Sequence, residues 1–301
     1  MIVEKALVVG YGSVGQRHAR LLADRDIKVA VVSRRPGVFH LQFVDLRDAL
    51  AQWRPNLLVI ASKTHDHGTD IDTAADAGFD GLVLVEKPIL NRPVPLPEHR
   101  FSDLRVGYNL RFHPVIQGLR RWLVGSKILG CQIHAGQYLP DWRPGTDHLA
   151  SYSAHHQQGG GVLRDLSHEL DLILWLFGPW KRMTALGGRH GDVTVDSEDS
   201  ASLLIETDIC PNLSLHMNYL DQPPRRTISV QTDEGTVVAD LVAGTLAGTR
   251  FEVARDDTYR ALHEDILTHG GQACDGTEAL AVTETIAAAE QAMAEKRWIT
   301  R

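Results

Sequence analysis

Near its start the chain runs from an apolar stretch, Ala6-Leu7-Val8-Val9, into Gly10-Tyr11-Gly12-Ser13-Val14-Gly15, and from there into a helix-forming segment. No other feature constrains the fold as strongly. In a turn of this kind the first glycine permits the tight bend, the second lets the backbone approach a pyrophosphate, and the third lets helix pack on strand. The N–H groups at the helix start then face an anion. A glycine-rich turn without a ligand is the alternative, and three glycines alone leave it open. Here a second apolar run, residues 28–33, follows the helix and completes a βαβ unit. The pattern predicts a dinucleotide site on Gly10, Tyr11, Gly12, Ser13, Val14 and Gly15.

The first part of the chain keeps alternating. Strands are predicted at Lys5–Val9, 28–33, 57–62 and Leu82–Val85, with a weaker one at 41–44. Helices are predicted at 14–23, Leu46–Trp53 and 66–77, with Asp45 and Asp48 marking a helix start and Gly78 a helix end. Alternation of this sort implies a doubly wound parallel sheet. Runs such as Leu57-Leu58-Val59-Ile60-Ala61 suit strands covered on both faces. Pro93, Pro95 and Pro97 exclude a stable helix between residues 91 and 97.

Beyond Pro114 the rhythm changes. A helix is predicted at 115–124, a half-buried strand at 128–137, and a strongly apolar helix at 163–176 after Gly159-Gly160-Gly161. Runs at 184–187, Ser200–Thr207, 213–219, 227–232 and 236–241 are spaced like an antiparallel sheet, and a last helix covers 277–294. The expected organisation is a dinucleotide-binding Rossmann domain at 1–112. An α+β domain, an open antiparallel sheet with helices on one face, follows at 113–301.

Composition excludes some classes. The net charge is −7, from 31 basic and 38 acidic residues, which argues against a nucleic-acid partner. No apolar run is long enough to cross a bilayer, and the chain begins without a secretory signal. Cys131, Cys210 and Cys274 are far apart and odd in number, so neither disulfides nor a structural metal is expected. A reducing cytoplasm is the expected location.

Cofactor choice is read at the end of the second strand. An NAD site usually offers a carboxylate there for the ribose 2′-hydroxyl. This chain offers Ser33, Arg34 and Arg35 instead, and arginine forks suit a 2′-phosphate. NADP is therefore expected over NAD; the alternative is that both arginines merely solvate a loop.

Two groups stand out for proton chemistry. Lys87 follows the strand Leu82–Val85 in Glu86-Lys87-Pro88, at the sheet edge where ligands lie. Its ammonium there would hold charge on a substrate oxygen; an ordinary surface lysine is the alternative. The helix after Gly161 carries Asp165, His168 and Asp171 at steps of three, roughly one face, opposite Leu166, Leu170, Ile173 and Phe177, which read as core. His168 on such a stripe exchanges a proton near neutral pH, with Asp165 or Asp171 orienting it. The alternative is a half-buried helix with satisfied polar groups. Glu169 does not make a zincin helix, because a second histidine is missing.

Taken together, Gly10–Gly15, Thr64-His65-Asp66-His67, Glu86-Lys87-Pro88, Gly107-Tyr108-Asn109-Leu110-Arg111-Phe112-His113-Pro114 and the stretch from Gly159 to Asp171 resemble the glucose–fructose oxidoreductase/inositol dehydrogenase (Gfo/Idh/MocA) family. The resemblance covers nearly the whole chain. It implies an NAD(P)-dependent oxidoreductase that moves a hydride between nicotinamide and a hydroxyl or carbonyl carbon of a sugar, cyclitol or related molecule. It also implies a homodimer or homotetramer formed through the C-terminal sheet. By resemblance, Lys87, His168 and Asp165 are catalytic, with Lys87 on the reacting oxygen, His168 moving the proton and Asp165 steadying it. Ser62, Lys63, Thr64, His67, Glu86, Lys87 and Asn109 join the glycine turn around the cofactor, Glu86 near the nicotinamide ribose. Arg111, Tyr138, Arg143 and Tyr152 neighbour the substrate with Lys87 and His168. Residues 138–144, followed by Tyr152, look like a subgroup found with surface-sugar biosynthesis.

The chain departs from the family in two places. The step from Asp165 to His168 is three where the family has four, with Glu169 in the fourth place; either His168 is the base with Asp165 as partner, or the geometry is altered. Residues 88–107 are fewer than the family has and lack a helix. Two other functions share the fold: a nucleotide-sensing protein without turnover, and an enzyme that uses tightly held nicotinamide transiently for elimination or glycoside cleavage.

Overall fold

A computed structural model describes residues 2–142 and 147–301. In chain order the elements begin with β1 (Lys5–Val9), α1 (Ser13–Ala23), β2 (Lys28–Val32), β3 (Gln42–Phe43), α2 (Leu46–Trp53), β4 (Leu57–Ile60), α3 (His67–Asp76), β5 (Leu82–Val85) and β6 (Asp103–Val106). Next come α4 (Pro114–Trp122), β7 (Ile128–Gly136), α5 (Val162–Asp165), α6 (Ser167–Phe177), β8 (Trp180–Gly188), β9 (Ser200–Thr207), β10 (Leu213–Asn218), β11 (Arg225–Thr232) and β12 (Gly235–Asp240). The chain ends with β13 (Thr245–Leu246), β14 (Thr249–Arg250), α7 (Asp257–Thr268), β15 (Cys274–Asp275), α8 (Gly276–Glu295) and β16 (Ile299–Thr300).

Two compact units result, Met1–Asn109 with Asp256–Thr283, and Leu110–Arg255 with Glu284–Arg301. The expected division at residue 112 therefore needs correction, because residues 256–283 return to the first unit. Their reason is visible within it. α7 ties itself to α1 by Arg25–Glu264 and Arg20–Asp256 ion pairs, and β15 pairs antiparallel with the edge strand β6.

The first unit holds a seven-stranded sheet in the order β15-β6-β5-β4-β1-β2-β3. Its six N-terminal strands are parallel and give the doubly wound order 3-2-1-4-5-6. Ala6, Leu7 and Val8 of β1 and Leu58, Val59 and Ile60 of β4 are fully buried, as strands with helices on both faces must be. Asp45 caps α2 by accepting the Asp48 N–H at 3.0 Å, and Gly78 takes a left-handed φ of 70° after α3. No helix lies between β5 and β6.

The second unit holds a nine-stranded sheet in the order β14-β13-β12-β11-β7-β10-β9-β8-β16. It is not wholly antiparallel, as the spacing had implied: β7 and β10 run parallel, side by side at the centre. Strand spacing cannot reveal this, because the parallel neighbours are remote in sequence. In β9, Ala201, Leu203 and Ile205 are buried and alternate with outward Ser202, Leu204 and Glu206.

The helix expected at 163–176 is two helices. Leu166 leaves helical geometry (φ −97°, ψ 28°), and α6 restarts at Ser167. Neither proline nor glycine marks the bend. Remote partners hold the carboxylates on either side of it, so tertiary pairing overrides the local periodicity. The core expectation holds: Leu166, Leu170, Ile173 and Phe177 are all buried. Among the described residues no helix is long and apolar enough to cross a membrane, and no cluster of side chains is suited to a metal.

Candidate functional site

In the first unit the candidate site lies at the carboxyl ends of β1, β4 and β5. Gly10 has φ +85°, and a Cβ on it would stand 2.5 Å from the Ala61 carbonyl oxygen and 2.7 Å from the Ser62 Cα. A Cβ on Gly15 would stand 2.0 Å from the Gly10 oxygen. Those two glycines are imposed by the packing of the protein itself. Gly12 is different: it is exposed, its φ is ordinary, and a Cβ there would touch nothing. Gly12 is the N-cap of α1 and supplies no side chain to cap it, nor does any acidic residue occupy the first turn. The first N–H groups of α1, from Ser13 to Gly15, thus form a backbone cradle with open space in front. A pyrophosphate fits such a cradle by charge and by shape.

A connected rim surrounds that turn. The guanidinium of Arg35 donates to the Tyr11 carbonyl, so the second strand's end is folded onto the glycine turn. Ser33 is buried, and its Oγ accepts the Arg35 N–H at 3.1 Å. Arg34 is exposed and its charge reaches Asp70. After β4, Ser62 Oγ donates to the Asp70 carboxyl at 2.5 Å, while Lys63 is exposed and Thr64 is buried at the start of a short turn. Burial pushes the Asp70 carboxyl up to about 6, against the opposing effect of Ser62 and Arg34. His67 is buried, with Nδ1 3.0 Å from the Pro88 carbonyl and Nε2 3.2 Å from the Ser62 carbonyl. Desolvation lowers its pKa, so it is a neutral strut between the β4 and β5 ends.

At the end of β5, Lys87 is half-buried and the Lys87–Pro88 peptide is cis. Glu86 is buried, its Oε1 2.9 Å from His18 Nε2 in α1. Burial alone would raise its pKa, but the hydrogen bond and charge of His18, together with Lys87, hold it below the ordinary carboxylate range. His18 Nδ1 lies 2.8 Å from His263 Nε2 in α7. Asn109, expected beside the cofactor, gives its Nδ2–H to Thr258 Oγ1 at 2.7 Å and is buried.

The second candidate region is the α5–α6 bend of the second unit. Asp165, at the end of α5, is buried and accepts the Tyr219 hydroxyl at 2.8 Å. Burial and then the Asp165 charge drive the Tyr219 pKa well above its usual value, so the phenol is a permanent donor. His168 is half-buried in the first turn of α6. The bend at Leu166 means that a spacing of three no longer places Asp165 and His168 on one helical face. Glu169 is buried and bidentate to Arg226 of β11, at 2.7 and 3.1 Å. Asp171 is bidentate to Arg111, its shortest contact 2.6 Å.

Arg111, expected beside the substrate, lies in an ion pair inside the second unit. It is 2% exposed, its fork is engaged by Asp171, and its guanidinium lies 5.3 Å from the Trp175 ring centre. A buried guanidinium requires its counter-charge, which Asp171 supplies. Tyr138 and Tyr152 are half-buried, Tyr138 just after β7 and Tyr152 close enough to Tyr219 to raise its pKa further. Arg143 lies outside the described residues, as does Pro144.

Comparison with known proteins gives a family-model match over part of the chain. Residues 123–238 match the GFO/IDH/MocA C-terminal domain. No curated protein sequence matches the chain. Among solved structures, GenD2 from gentamicin A biosynthesis in complex with NAD is 23% identical, with a TM-score of 0.83 over 100% of this chain and 97% of that one. The WlbA dehydrogenase from Bordetella pertussis, in complex with NADH and UDP-GlcNAcA, is 20% identical with a TM-score of 0.83 over 99% of each chain. Levoglucosan dehydrogenase in complex with NADH is 15% identical with a TM-score of 0.83 over 98% of each. These likenesses establish the fold over the whole chain.

Within the matched residues 123–238, Tyr219 and Arg226 are polar partners that sequence reading did not find. Nothing at either position stands out in one dimension. Their meaning comes from β10 and β11 carrying them to α5 and α6. In the first unit, His18 and His263 were missed for the same reason: 245 positions separate two rings in hydrogen-bond contact.

Proposed function

We propose that this protein is an NAD(P)-dependent oxidoreductase acting on a hydroxyl or carbonyl carbon of a sugar, cyclitol or related small molecule. The observation that carries the reading is the contrast within the glycine turn. Gly10 and Gly15 are filled by the protein, whereas Gly12 faces open space at the start of α1. A bound nicotinamide would accept or return the hydride; the protein supplies placement and charge. The pyrophosphate belongs on the N–H groups of residues 13–15. Ser62, Lys63, Thr64 and His67 shape the neighbouring loop, and Glu86 with Lys87 forms the β5 end.

In the proposed reaction His168 takes the hydroxyl proton during oxidation and returns it during reduction. Lys87 donates a hydrogen bond to the reacting oxygen and holds charge there. Asp165, with Tyr219 behind it, sets the field around the histidine. Tyr138 and Tyr152 are the substrate neighbours, and a nucleotide-linked sugar is within the class considered, since the WlbA dehydrogenase structure holds UDP-GlcNAcA. NADP is preferred over NAD in this reading, because Ser33, Arg34 and Arg35 offer two guanidinium groups and no carboxylate after β2. We also propose self-association through the open face of the nine-stranded sheet, where Leu186 is 75% and Leu204 49% exposed. A reducing compartment suits the three free, buried cysteines.

The test begins with fluorescence titration of NADPH and NADH, expecting tighter NADPH binding. It continues with a screen of sugars, cyclitols and nucleotide-linked sugars. Replacing His168 by Ala is expected to lower turnover about 10²–10⁴-fold while cofactor affinity is kept. Turnover close to wild type in that variant rejects the assignment of His168. Failure of both nicotinamides to bind rejects the reading as a whole.

A further inference from the structure

His18 and His263 have no part in the reading above, yet with Glu86 they form a chain that is buried throughout. His18 is 0%, Glu86 7% and His263 2% exposed. The three residues come from the β5 end, α1 and α7, all within the first unit. Ionised Glu86 only accepts, so His18 Nε2 must donate across the 2.9 Å contact. One proton is then shared across the 2.8 Å contact between His18 Nδ1 and His263 Nε2. Desolvation, and then the charges of His18, Arg25 and Arg260, keep His263 neutral. Its Nδ1 has no hydrogen-bond partner among the described residues, so the chain ends there.

The other end of the chain is Lys87. Glu86 Oε2 lies 3.3 Å from the Lys87 backbone N–H, and the Lys87 charge is among the groups that hold Glu86 ionised. Nor has the carboxylate room to swing away. A Cβ on Gly107 would stand 2.8 Å from Oε1, so the backbone of β6's end closes the far side. Tyr259 packs edge-on against the His18 ring at 5.4 Å. Other charged and titratable groups around this chain are Arg17 and Asp256, which with Glu86 act on Tyr259, and His67 from α3, on which Glu86 acts.

We propose that His18 is a positioning residue for Lys87: it clamps Glu86 from behind, and Glu86 in turn fixes the backbone and the charge of the lysine. His263 sets the orientation of the His18 ring. The inference rests on the reading of Lys87 as the group that meets the substrate oxygen, but its mechanism is independent of any substrate. Without His18, a buried carboxylate loses its donor and takes up a proton, and the Lys87 charge loses the carboxylate whose field it shares.

The experiment reads Lys87 directly in the full chain. Lysines are reductively methylated with ¹³C-formaldehyde, the Lys87 signal is assigned by its loss in Lys87→Arg, and its titration is followed by NMR. His18→Leu is expected to lower the apparent pKa of Lys87 by about one unit, a tenfold change in proton affinity. His18→Gln places an amide donor where Nε2 stood and is expected to restore most of that shift. Glu86→Gln is expected to reproduce the shift and to add nothing in the His18→Leu background. Where His18→Leu fails to fold, His18→Gln against His18→Gln/Glu86→Gln carries the comparison. A Lys87 titration unchanged by Glu86→Gln, or by His18→Leu in a folded protein, overturns the proposal. If no polyol is ever turned over and these shifts are nevertheless seen, the relay stands and the enzymatic reading falls.

Discussion

The glycine turn of the first unit and the α5–α6 bend of the second handle charge in opposite ways. At the turn the working groups are backbone N–H dipoles, and Gly12 leaves the space before them open. At the bend they are side-chain carboxylates, and three of them already have partners: Asp165 with Tyr219, Glu169 with Arg226 and Asp171 with Arg111. The first arrangement is a backbone cradle suited to an anion and costs little to maintain. The second is a set of buried charges that must stay satisfied, because each lost partner strands an ion in a low dielectric. An incoming anion suits the turn; at the bend, the half-buried imidazole of His168 is set among groups whose protons are held in place.

The contrast makes predictions of decreasing size. The largest concerns the bend. Arg111→Met leaves Asp171 buried without its counter-charge and is expected to cost about 3–5 kcal/mol by urea denaturation. Adding Asp171→Leu should recover most of it. A single variant that costs less than about 1 kcal/mol would show that the bend is no more burdened by charge than the turn. Next comes the turn itself. Gly12→Ala puts a methyl where nothing now stands, so stability should change by no more than about 0.5 kcal/mol. Nicotinamide affinity should nevertheless fall about tenfold, as fluorescence titration would show. A fall in stability without a change in affinity would mean that the space before Gly12 serves the fold and not a ligand.

The smallest effect sharpens the comparison, because it tests a buried charge next to the turn. Asp70 titrates at about 6 in the folded protein, above its ordinary 3.8. The folded state therefore holds the proton more tightly than the unfolded chain. That contribution is complete below about pH 4 and is lost as the pH rises through 6. Asp70→Asn should raise stability at pH 8 by about 1 kcal/mol, after allowing for the carboxyl's partial contact with water, and do nothing below pH 4. The melting temperature as a function of pH, for both proteins, is the measurement.

What the chain disclosed in one dimension follows the same contrast. The cradle at Gly10–Gly15, the buried strands β1 and β4 and the cap at Asp45 depend on neighbours a few residues away, and each was legible. So was the apolar face of Leu166, Leu170, Ile173 and Phe177. The break at Leu166 was not, since the periodicity runs through it and only the remote partners of Asp165 and Glu169 accompany it. The partner of Arg111 was hidden for a related reason: its carboxylate, Asp171, stands sixty positions away. The parallel pairing of β7 with β10 was hidden too, since strand spacing does not report which neighbours meet.

One feature also bears on how the molecule comes into being. The first unit is interrupted: six of its seven strands are encoded before Asn109, but the segment that carries α7 and β15 returns only at Asp256. At about 5–20 residues per second, a ribosome needs roughly 7–30 s to bridge that gap. Throughout the interval the emerging polypeptide exposes the flank of α1 that carries His18, and β6 is an open strand edge, the kind of surface on which nascent chains adhere to one another. This stretch of translation is where a chaperone would have most to protect.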